Sequence, residues 1–390
     1  MSLIIGDLNM EAINVLSLFD GISCGQVALE RAGIPVRNYY ASEIEENCIK
    51  ITQKNHPETI QLGDVRSIDL LKFTQIPSNE YVIDLLIGGS PCQDLSIAGT
   101  RQGLDGSRSC LFWEYVRALK IVKPKWFLFE NVASIKKEDK DIITNALGVE
   151  PIMINSALVS AQTRKRLYWT NIPHVEQPED RHIYLKDILE SGVAPQNKSY
   201  CLTETYHKAC LSDFVKKHTR TMIGEPLKIP EATKKGFAEI QQGECVDLTQ
   251  LNSKTRRGRA MKEKSNCITA SNIQYYQYLG KAPIRLGHLE GRSNAQANRV
   301  YSIEGKSVCL NANGGGGGAK TGLYKIDLPD GEYIIRKLTP VECERLQTLP
   351  DNYTEGIPNS SRYKAIGNGW TVEVIAHILK GIKEDGELQK

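Results

Sequence analysis

No Cys-x-x-Cys pair occurs in this chain of 390 residues, although it has ten cysteines. That absence removes the close ligand pairs of a zinc site, and the length argues against a short disulfide-stapled scaffold. No metal is expected, and the cysteines read as reduced, mostly buried thiols. Long apolar runs are also missing: Ile13–Phe19 and Trp126–Phe129 stop far short of the roughly 20 residues a membrane span needs. The opening MSLIIGDLNMEA has no positive segment and meets Asp7 early, so no secretory signal is expected. No Gly-x-Gly-x-x-Gly fingerprint occurs, which disfavours a nicotinamide-dependent dehydrogenase. An excess of either charge is lacking too, with 49 Lys and Arg against 46 Asp and Glu.

What is present is an alternation of strand and helix patterns. Ile13–Phe19 predicts a strand, Gly25–Ile34 a helix stopped by Gly33, Asn38–Ile44 a second strand, and ENCIKITQKN a helix ending before His56-Pro57. Leu62–Val65, Tyr81–Gly89 and Lys125–Val132 predict further strands, with a helix over Ser109–Val122. This order predicts an α/β fold with a parallel sheet covered on both faces. After about Pro195 the helical periodicity fades until about Glu332. That stretch contains five consecutive glycines and three copies of a Lys-Ser-x-Cys pattern (198–205, 264–271 and 306–313), each read as a turn leading into a short strand. From Asn252 to Lys325 there are 13 Lys/Arg against 3 Asp/Glu, a net of +10, so an overall +3 leaves −7 elsewhere. Such a basic segment on a mildly acidic body is the footprint of a polyanion-binding module. Regular patterning returns at Arg336: Leu338–Pro350 has a Thr cap and Pro for a helix start. Ala365–Ile382 reads as a turn, then an amphipathic helix ending near Gly381 that packs back on the first half.

Several constellations carry chemistry. Ser17–Glu30 is a strand, a Gly-bearing turn and a helix whose N-terminal N–H groups can face a ligand, or simply a structural turn. Glu43, some 20 residues on, suits ribose hydroxyls, and Asp64 suits an adenine amino group. Together they indicate an adenosine-containing cofactor at the carboxyl ends of the strands. Cys92, after Gly-Gly-Ser-Pro at the end of the fourth strand, is a nucleophile or a buried structural thiol. Glu130, after the fifth strand, suits proton donation, or else a salt bridge or helix cap. Arg164 and Arg166 fall at period two on one face of an extended segment, where they can clamp anionic or carbonyl oxygens or form a basic surface strand. Ser96–Ser109, Gly-rich and polar, reads as a lid or as a plain surface loop.

Pro91-Cys92-Gln93, Glu130-Asn131-Val132, Gln162-x-Arg164-x-Arg166 and Gly367-Asn368 stand in the order and approximate spacing of the DNA cytosine-5 methyltransferases. The sequence resembles that family over roughly residues 13–173 and 336–382. SLFDGIS, Val159–Pro173 and the Ser90-Pro-Cys context are similar to the vertebrate de novo enzymes; Pro-Cys-Gln-Asp-Leu-Ser and Gly-Asn-Gly look more bacterial. The resemblance implies a Rossmann-like S-adenosylmethionine-dependent methyltransferase sheet over residues 1–195 plus 334–390, with a smaller, β-rich, irregular target-recognition domain at 196–333. It implies S-adenosylmethionine held by Phe19, Asp20, Gly21, Ile22, Glu43, Ile44, Asp64, Val65, Pro91, Asn368 and Gly369. It implies attack by Cys92 on C6 of a cytosine flipped out of double-stranded DNA. Glu130 would hydrogen-bond N3 and the exocyclic amine, while Arg164 and Arg166 orient the base and its backbone. DNA contacts are expected from Gln93, Ser96, Arg101, Arg256, Arg257, Arg259 and Lys320. No obligate protein partner and no membrane are implied, and a monomer in a bacterial or phage-infected cytoplasm is expected.

The sequence departs from the usual bacterial pattern in two places. Ser17 stands where an Asp is usual, with Asp20 as the nearest substitute, and Ser23-Cys24 stand where Gly-Gly is usual. Cys24 beside the cofactor is unexpected. A tRNA cytosine-5 methyltransferase is disfavoured because its compact insertion carries Cys-Phe-Thr, which is absent. A silent DNA-binding regulator is disfavoured because Cys92, Glu130, Arg164 and Arg166 are all retained.

Overall fold

The computed structural model describes residues 10–74, 82–90, 111–209, 219–226, 228–239 and 333–388. It also describes short stretches at 244–247, 255, 260–262, 275–276, 285–288, 299–301 and 323–324. The first part of the chain runs β1 (Ile13–Leu18), α1 (Cys24–Ala32), β2 (Val36–Ser42), α2 (Glu46–Asn55), β3 (Ile60–Gln61), β4 (Leu85–Gly88) and α3 (Leu111–Val122). It continues through β5 (Trp126–Val132), α4 (Lys137–Leu147), β6 (Ile152–Asn155), β7 (Lys165–Thr170) and the short α5 (Leu185–Ile188). These strands make one seven-stranded sheet of order β3-β2-β1-β4-β5-β7-β6.

The α/β reading holds, but the sheet is mixed rather than wholly parallel. β1 to β5 pair in parallel, whereas β7 runs antiparallel to both β5 and β6. The reason is chain length: Ser156–Arg164 is too short for the dozen or more residues a parallel crossover needs, so β7 returns beside β6 as a hairpin partner. The third strand also differs from the expected Leu62–Val65. It is Ile60–Gln61, and Val65–Ser67 is a 3-10 turn capped by Asp64, whose carboxylate accepts from the Arg66 N–H.

Alternating side chains divide between two cores, as a sheet covered on both faces requires. Val15, Leu85, Ile87, Leu128 and Tyr168 join α1 on one side. Leu16, Leu86, Phe127, Phe129 and Trp169 join α3 and α4 on the other. Each fully buried Leu, Ile or Phe contributes roughly 1.5–3 kcal/mol, so a one-residue slip of any central strand would be prohibitive.

The C-terminal part supplies α6 (Pro340–Leu346), α7 (Asn359–Asn368), α8 (Val372–Leu379) and α9 (Gly381–Leu388). α6 starts with a capping box: Thr339 Oγ1 accepts from the Glu342 N–H while Glu342 Oε2 accepts from the Thr339 N–H. The turn expected at Ala365–Asn368 is instead the last turn of α7; helix α8 begins after a break at Gly369–Thr371. Gly367 in that last turn permits a close approach, because it lies against the backbone of Thr203 and Glu204 and any Cβ there would clash. α8 packs back on the first half as expected, burying Val372, Val374, Ile375, Ile378 and Leu379 in the core that holds Val27, Ala28 and Leu29 of α1.

Met1–Ile188, Asn197–Lys208 and Thr339–Lys390 form one compact unit, and Leu189–Gln196 with Ala209–Leu338 form a second. The first Lys-Ser-x-Cys copy thus belongs to the sheet-bearing unit. It is not a strand: Ser199 makes one isolated bridge to Gln162, and Lys198 Nζ donates to the carbonyls of Ala157 (2.6 Å), Ser160 (3.1 Å) and Ile183 (2.6 Å). The other two copies lie outside the described residues. The second unit is β-rich: β8 (Met222–Pro226), β9 (Lys228–Pro230), β10 (Phe237–Glu239), β11 (Glu244–Asp247), β12 (Ala260–Lys262), β13 (Tyr275–Tyr276), β14 (Arg285–His288), β15 (Arg299–Tyr301), β16 (Leu323–Tyr324) and β17 (Tyr333–Lys337). They form sheets of two or three strands, and Arg336 on β17 pins β8 through Glu225 (2.5 Å) and the Ser191 carbonyl (2.6 Å). No helix among the described residues is long and apolar enough to cross a membrane.

Candidate active site

Where β1 leaves the sheet, the chain passes through left-handed backbone at Phe19 (φ 58°), Gly21 (φ 61°) and Ser23 (φ 56°). Phe19 and Ser23 have a Cβ and are strained there, a pattern that clusters at ligand sites. The turn aims the Gly21 N–H at Glu43 Oε2 (2.8 Å), and Glu43 Oε1 accepts from the N–H groups of Ile44 (2.7 Å) and Glu45 (2.8 Å). Burial raises the Glu43 carboxyl pKa, against those three donors, which favour the charged form. Beside it, Ile44 is 66% exposed, a large apolar surface left without cover.

Other residues expected to touch a cofactor are engaged elsewhere. The Ile22 side chain is in the core, and its carbonyl accepts from Tyr353 Oη (2.8 Å). The Asp20 carboxylate is turned inward: Tyr39 Oη donates to Oδ1 (2.7 Å) and Ser23 Oγ to Oδ2, and burial raises its pKa. The Asp20 side chain thereby braces its own turn. Asp64 is clamped by Arg66, whose Nη2 lies 2.5 Å from Oδ2, and that side chain holds the carboxyl at about 2. Val65 is buried, Asn368 is exposed and Gly369 is half-buried. Cys24 is a packing residue: burial pushes its thiol up to about 12, and a Cβ on Gly369 would sit 3.2 Å from its Sγ. Two buried groups at the ends of β3 and β4, the Gln61 amide and Ser90 Oγ, have no hydrogen-bond partner among the described residues.

Glu130, near the carboxyl end of β5, is the centre of a second cluster. Arg166 on β7 lies diagonally across the antiparallel ladder on the same face, and its Nε sits 2.8 Å from Glu130 Oε1. Trp370, in the break between α7 and α8, donates its indole N–H to Glu130 Oε2 (3.1 Å). Gly89, which leads from β4 toward Pro91-Cys92, must lack a side chain, because a Cβ would meet Glu130 Oε2 at 2.8 Å and Trp370 Nε1 at 3.3 Å.

The two arginines divide their labour. Arg164 is 4% exposed and points into backbone: Nη1 donates to the Leu202 carbonyl (2.9 Å), and Nη2 to those of Gly367 (3.3 Å) and Gly369 (3.0 Å). Its guanidinium holds the C-terminal end of α7 and is a positioning group, while Arg166 touches the carboxylate. Between them lies Cys201, 3.4 Å from Arg164 Nη1 and 4.0 Å from Arg166 Nη2. Burial pushes that thiol up, but the two guanidinium charges outweigh it and hold the thiol below its usual value.

Sequence reasoning did not single out Trp370, Cys201 as a partner of the arginines, or Gln347. Gln347 is fully buried, donating to the Ile366 (2.9 Å) and Gly369 (3.1 Å) carbonyls. Only Trp370 carried a signal, a large aromatic directly after Gly-Asn-Gly. Pro91, Cys92, Gln93, Ser96 and Arg101, with the rest of the Ser96–Ser109 segment up to residue 110, lie outside the described residues. So do Arg256, Arg257, Arg259 and Lys320. Among the described residues, no cluster of His, Cys, Asp and Glu could hold a metal ion.

Comparisons with known proteins agree with this architecture. The chain is 28% identical to the orphan methyltransferase M.SPRI of Bacillus phage SPR, covering 95% of this chain and 97% of that protein. It is 26% identical to the orphan methyltransferase M.Rho11sI of Bacillus phage rho11s (95% and 98% covered). It is 25% identical to the type II methyltransferase M.NlaIV of Neisseria lactamica (94% and 97%). In fold it is similar to the Entamoeba histolytica methyltransferase EhMeth, with a TM-score of 0.54 at 14% identity over 96% of this chain and 99% of that one. A mutant DNMT2 of Spodoptera frugiperda gives a TM-score of 0.52 at 14% identity, over 95% and 100%. Residues 13–384 match the family model described as C-5 cytosine-specific DNA methylase. A match running from the first strand of the sheet into the last helix makes this chain a member of that family, a DNA (cytosine-5-)-methyltransferase.

Proposed function

We propose that this methyltransferase transfers the methyl group of S-adenosylmethionine to C5 of a cytosine rotated out of double-stranded DNA, through covalent addition of Cys92 at C6. The observation that carries the reading is the carboxylate of Glu130. Arg166 holds one of its oxygens and Trp370 the other, beside the glycine that leads to Cys92.

When bound, S-adenosylmethionine supplies an electrophilic methyl group. The residues of the β1–β2 crevice fit its nucleoside. Glu43 accepts two N–H groups on Oε1 and one on Oε2, and a carboxylate has about four acceptor sites, so Oε2 can still take a ribose hydroxyl. Exposed Ile44 offers an apolar face for an adenine ring. Asp64 would share its carboxylate between Arg66 and the adenine amine, with Val65 behind it. Phe19, Gly21, Asn368 and Gly369 would complete the rim.

At the base, the Cys92 thiolate forms a bond to C6, and the C5–C6 π electrons become available at C5. Glu130, as the carboxylic acid, gives its proton to N3 as the bond to C6 forms, and its other oxygen accepts from the exocyclic amine, the kind of preorganised electrostatic support that dominates many enzyme mechanisms. Arg166 keeps Glu130 in place and adds positive charge. C5 would take the methyl group as the sulfur–methyl bond breaks and S-adenosylhomocysteine is left; the C5 proton would then leave to solvent, and Cys92 would be expelled as thiolate with the C5–C6 double bond restored. Residues 196–333 would read the DNA, with Arg256, Arg257, Arg259 and Lys320 on phosphates. Gln93, Ser96 and Arg101 would approach from the nucleophile segment.

Incubation with tritiated S-adenosylmethionine and mixed-sequence duplex DNA tests the reading. Label is expected at C5 of cytosine and absent in Cys92→Ala; equal labelling by that variant, or label in tRNA alone, would overturn it. Neutralising Arg256, Arg257 and Arg259 should reduce the salt dependence of DNA binding, by roughly 0.9 in log–log slope for each phosphate no longer neutralised. An unchanged slope would remove that cluster from the interface.

A further inference from the structure

We propose that Trp370 is a positioning residue for catalysis, whose indole N–H orients the Glu130 carboxyl group. The inference rests on the role for Glu130 given above. Glu130 is held asymmetrically, by a cationic donor on Oε1 at 2.8 Å and a neutral donor on Oε2 at 3.1 Å. The cationic donor alone would leave the carboxylate free to turn about its last torsion. The second donor fixes the plane, and so fixes which oxygen a base would meet.

Trp370 is placed with unusual care for a residue in a helix break. On one side, the Gly369 carbonyl accepts from Arg164 Nη2 (3.0 Å) and Gln347 Nε2 (3.1 Å). On the other, Thr371 Oγ1 donates to Gln347 Oε1 (2.9 Å) and accepts from Ser156 Oγ (2.9 Å). Arg164, Gln347, Ser156 and Thr371 are all buried. A buried polar network that is fully satisfied is rigid, and this one converges on the backbone either side of a single side chain. Neighbouring glycines leave room for the ring: a Cβ on Gly89 would crowd Nε1 at 3.3 Å, and one on Gly25 would touch the ring at 3.8 Å. The arrangement also gives buried Arg164 an indirect role, since it steadies the turn from which Trp370 reaches Glu130. The N–H is 240 positions away in sequence from its acceptor and reaches it only when the C-terminal helices dock on the sheet. Glu130 is thereby set in its working orientation only in the closed fold.

Trp370→Phe keeps the ring and removes the donor. In the full-length enzyme, kcat should fall about 10- to 100-fold, the range expected for one hydrogen bond to a charged group. KM for S-adenosylmethionine and for DNA should stay within about 2-fold. Unchanged kcat, or a loss carried by KM rather than kcat, would overturn the proposal. A second measurement needs no turnover. The protein has four tryptophans, and the Trp370 indole 15N–1H resonance, assigned by its loss in Trp370→Phe, should shift in Glu130→Gln. A resonance indifferent to that substitution would overturn the proposal even if the folding of Trp370→Phe were in doubt. If wild type fails to label DNA while this resonance still responds, the functional reading has failed and the hydrogen bond has not.

Discussion

Two carboxylates mark the two ends of the candidate active site, and they are built in opposite ways. Glu43 is satisfied by its own neighbourhood, the N–H groups of Ile44, Glu45 and Gly21, the last only 22 positions away. Glu130 takes its partners from a later strand and from a turn 240 positions distant. A locally built site can form as soon as β1, α1 and β2 associate. A remotely built site reports the closure of the whole sheet-bearing unit. On the proposed reading, the cofactor end would be built from local partners and the base end only in the finished fold. The same contrast separates the arginines: Arg166 holds the Glu130 carboxylate, whereas Arg164 ties three backbone carbonyls.

The largest effect should come from the remote end. Glu130→Gln removes the carboxyl group that Arg166 and Trp370 hold, and kcat should drop by about 10²–10³, as for loss of one preorganised electrostatic interaction. Isothermal titration should find S-adenosylmethionine binding intact; weakened binding would mean that the two ends are not separable. A smaller effect is expected at the local end. Glu43→Gln should raise KM for S-adenosylmethionine about 10-fold through one weakened hydrogen bond to a charged acceptor, with kcat within about 2-fold. A kcat loss in that variant comparable to Glu130→Gln would break the comparison. The smallest effect concerns Asp64. Its carboxyl lies at about 2, below its ordinary 3.8, because of the Arg66 side chain. The pair therefore contributes stability above about pH 4 and loses it as pH falls toward 2. Because the pair is exposed, the contribution is small and screened by salt. Thermal unfolding of Asp64→Asn should differ slightly from wild type at neutral pH and converge with it toward pH 2. A difference that grows on acidification would contradict the assignment.

Much of the fold is legible in local patterns, since β1, α2, α3 and β5 carry the periodicity of the element they form. The direction of β7 is not, because hydrophobic alternation reads the same in either sense and only the short Ser156–Arg164 connection decides it. The last turn of α7 reads as a loop because Gly367-Asn368 is ordinarily turn chemistry. There the glycine serves instead to let Thr203 and Glu204 approach the helix backbone. In the site, Glu43, Glu130 and Arg166 can be found from their places at strand ends. Arg164 looks the same in sequence as Arg166, and only burial tells them apart. Trp370, Gln347 and Cys201 cannot be found this way, because what makes them matter is a partner far away in the chain. The converse holds for Ile22 and Asp20: nearness in sequence to a crevice does not decide which way a side chain turns.

The central claim is that Cys92 attacks C6 of cytosine while Glu130, held by Arg166 and Trp370, supports the charge. Duplex DNA in which 5-fluorocytosine replaces cytosine tests it most directly, because fluorine at C5 cannot leave as the proton does. With S-adenosylmethionine present, intact mass spectrometry should find one protein–DNA adduct, and peptide mapping should place it on Cys92. Cys92→Ala should give none. Methylation of ordinary duplex DNA without any adduct on the fluorinated duplex, or an adduct that persists in Cys92→Ala, would contradict the account.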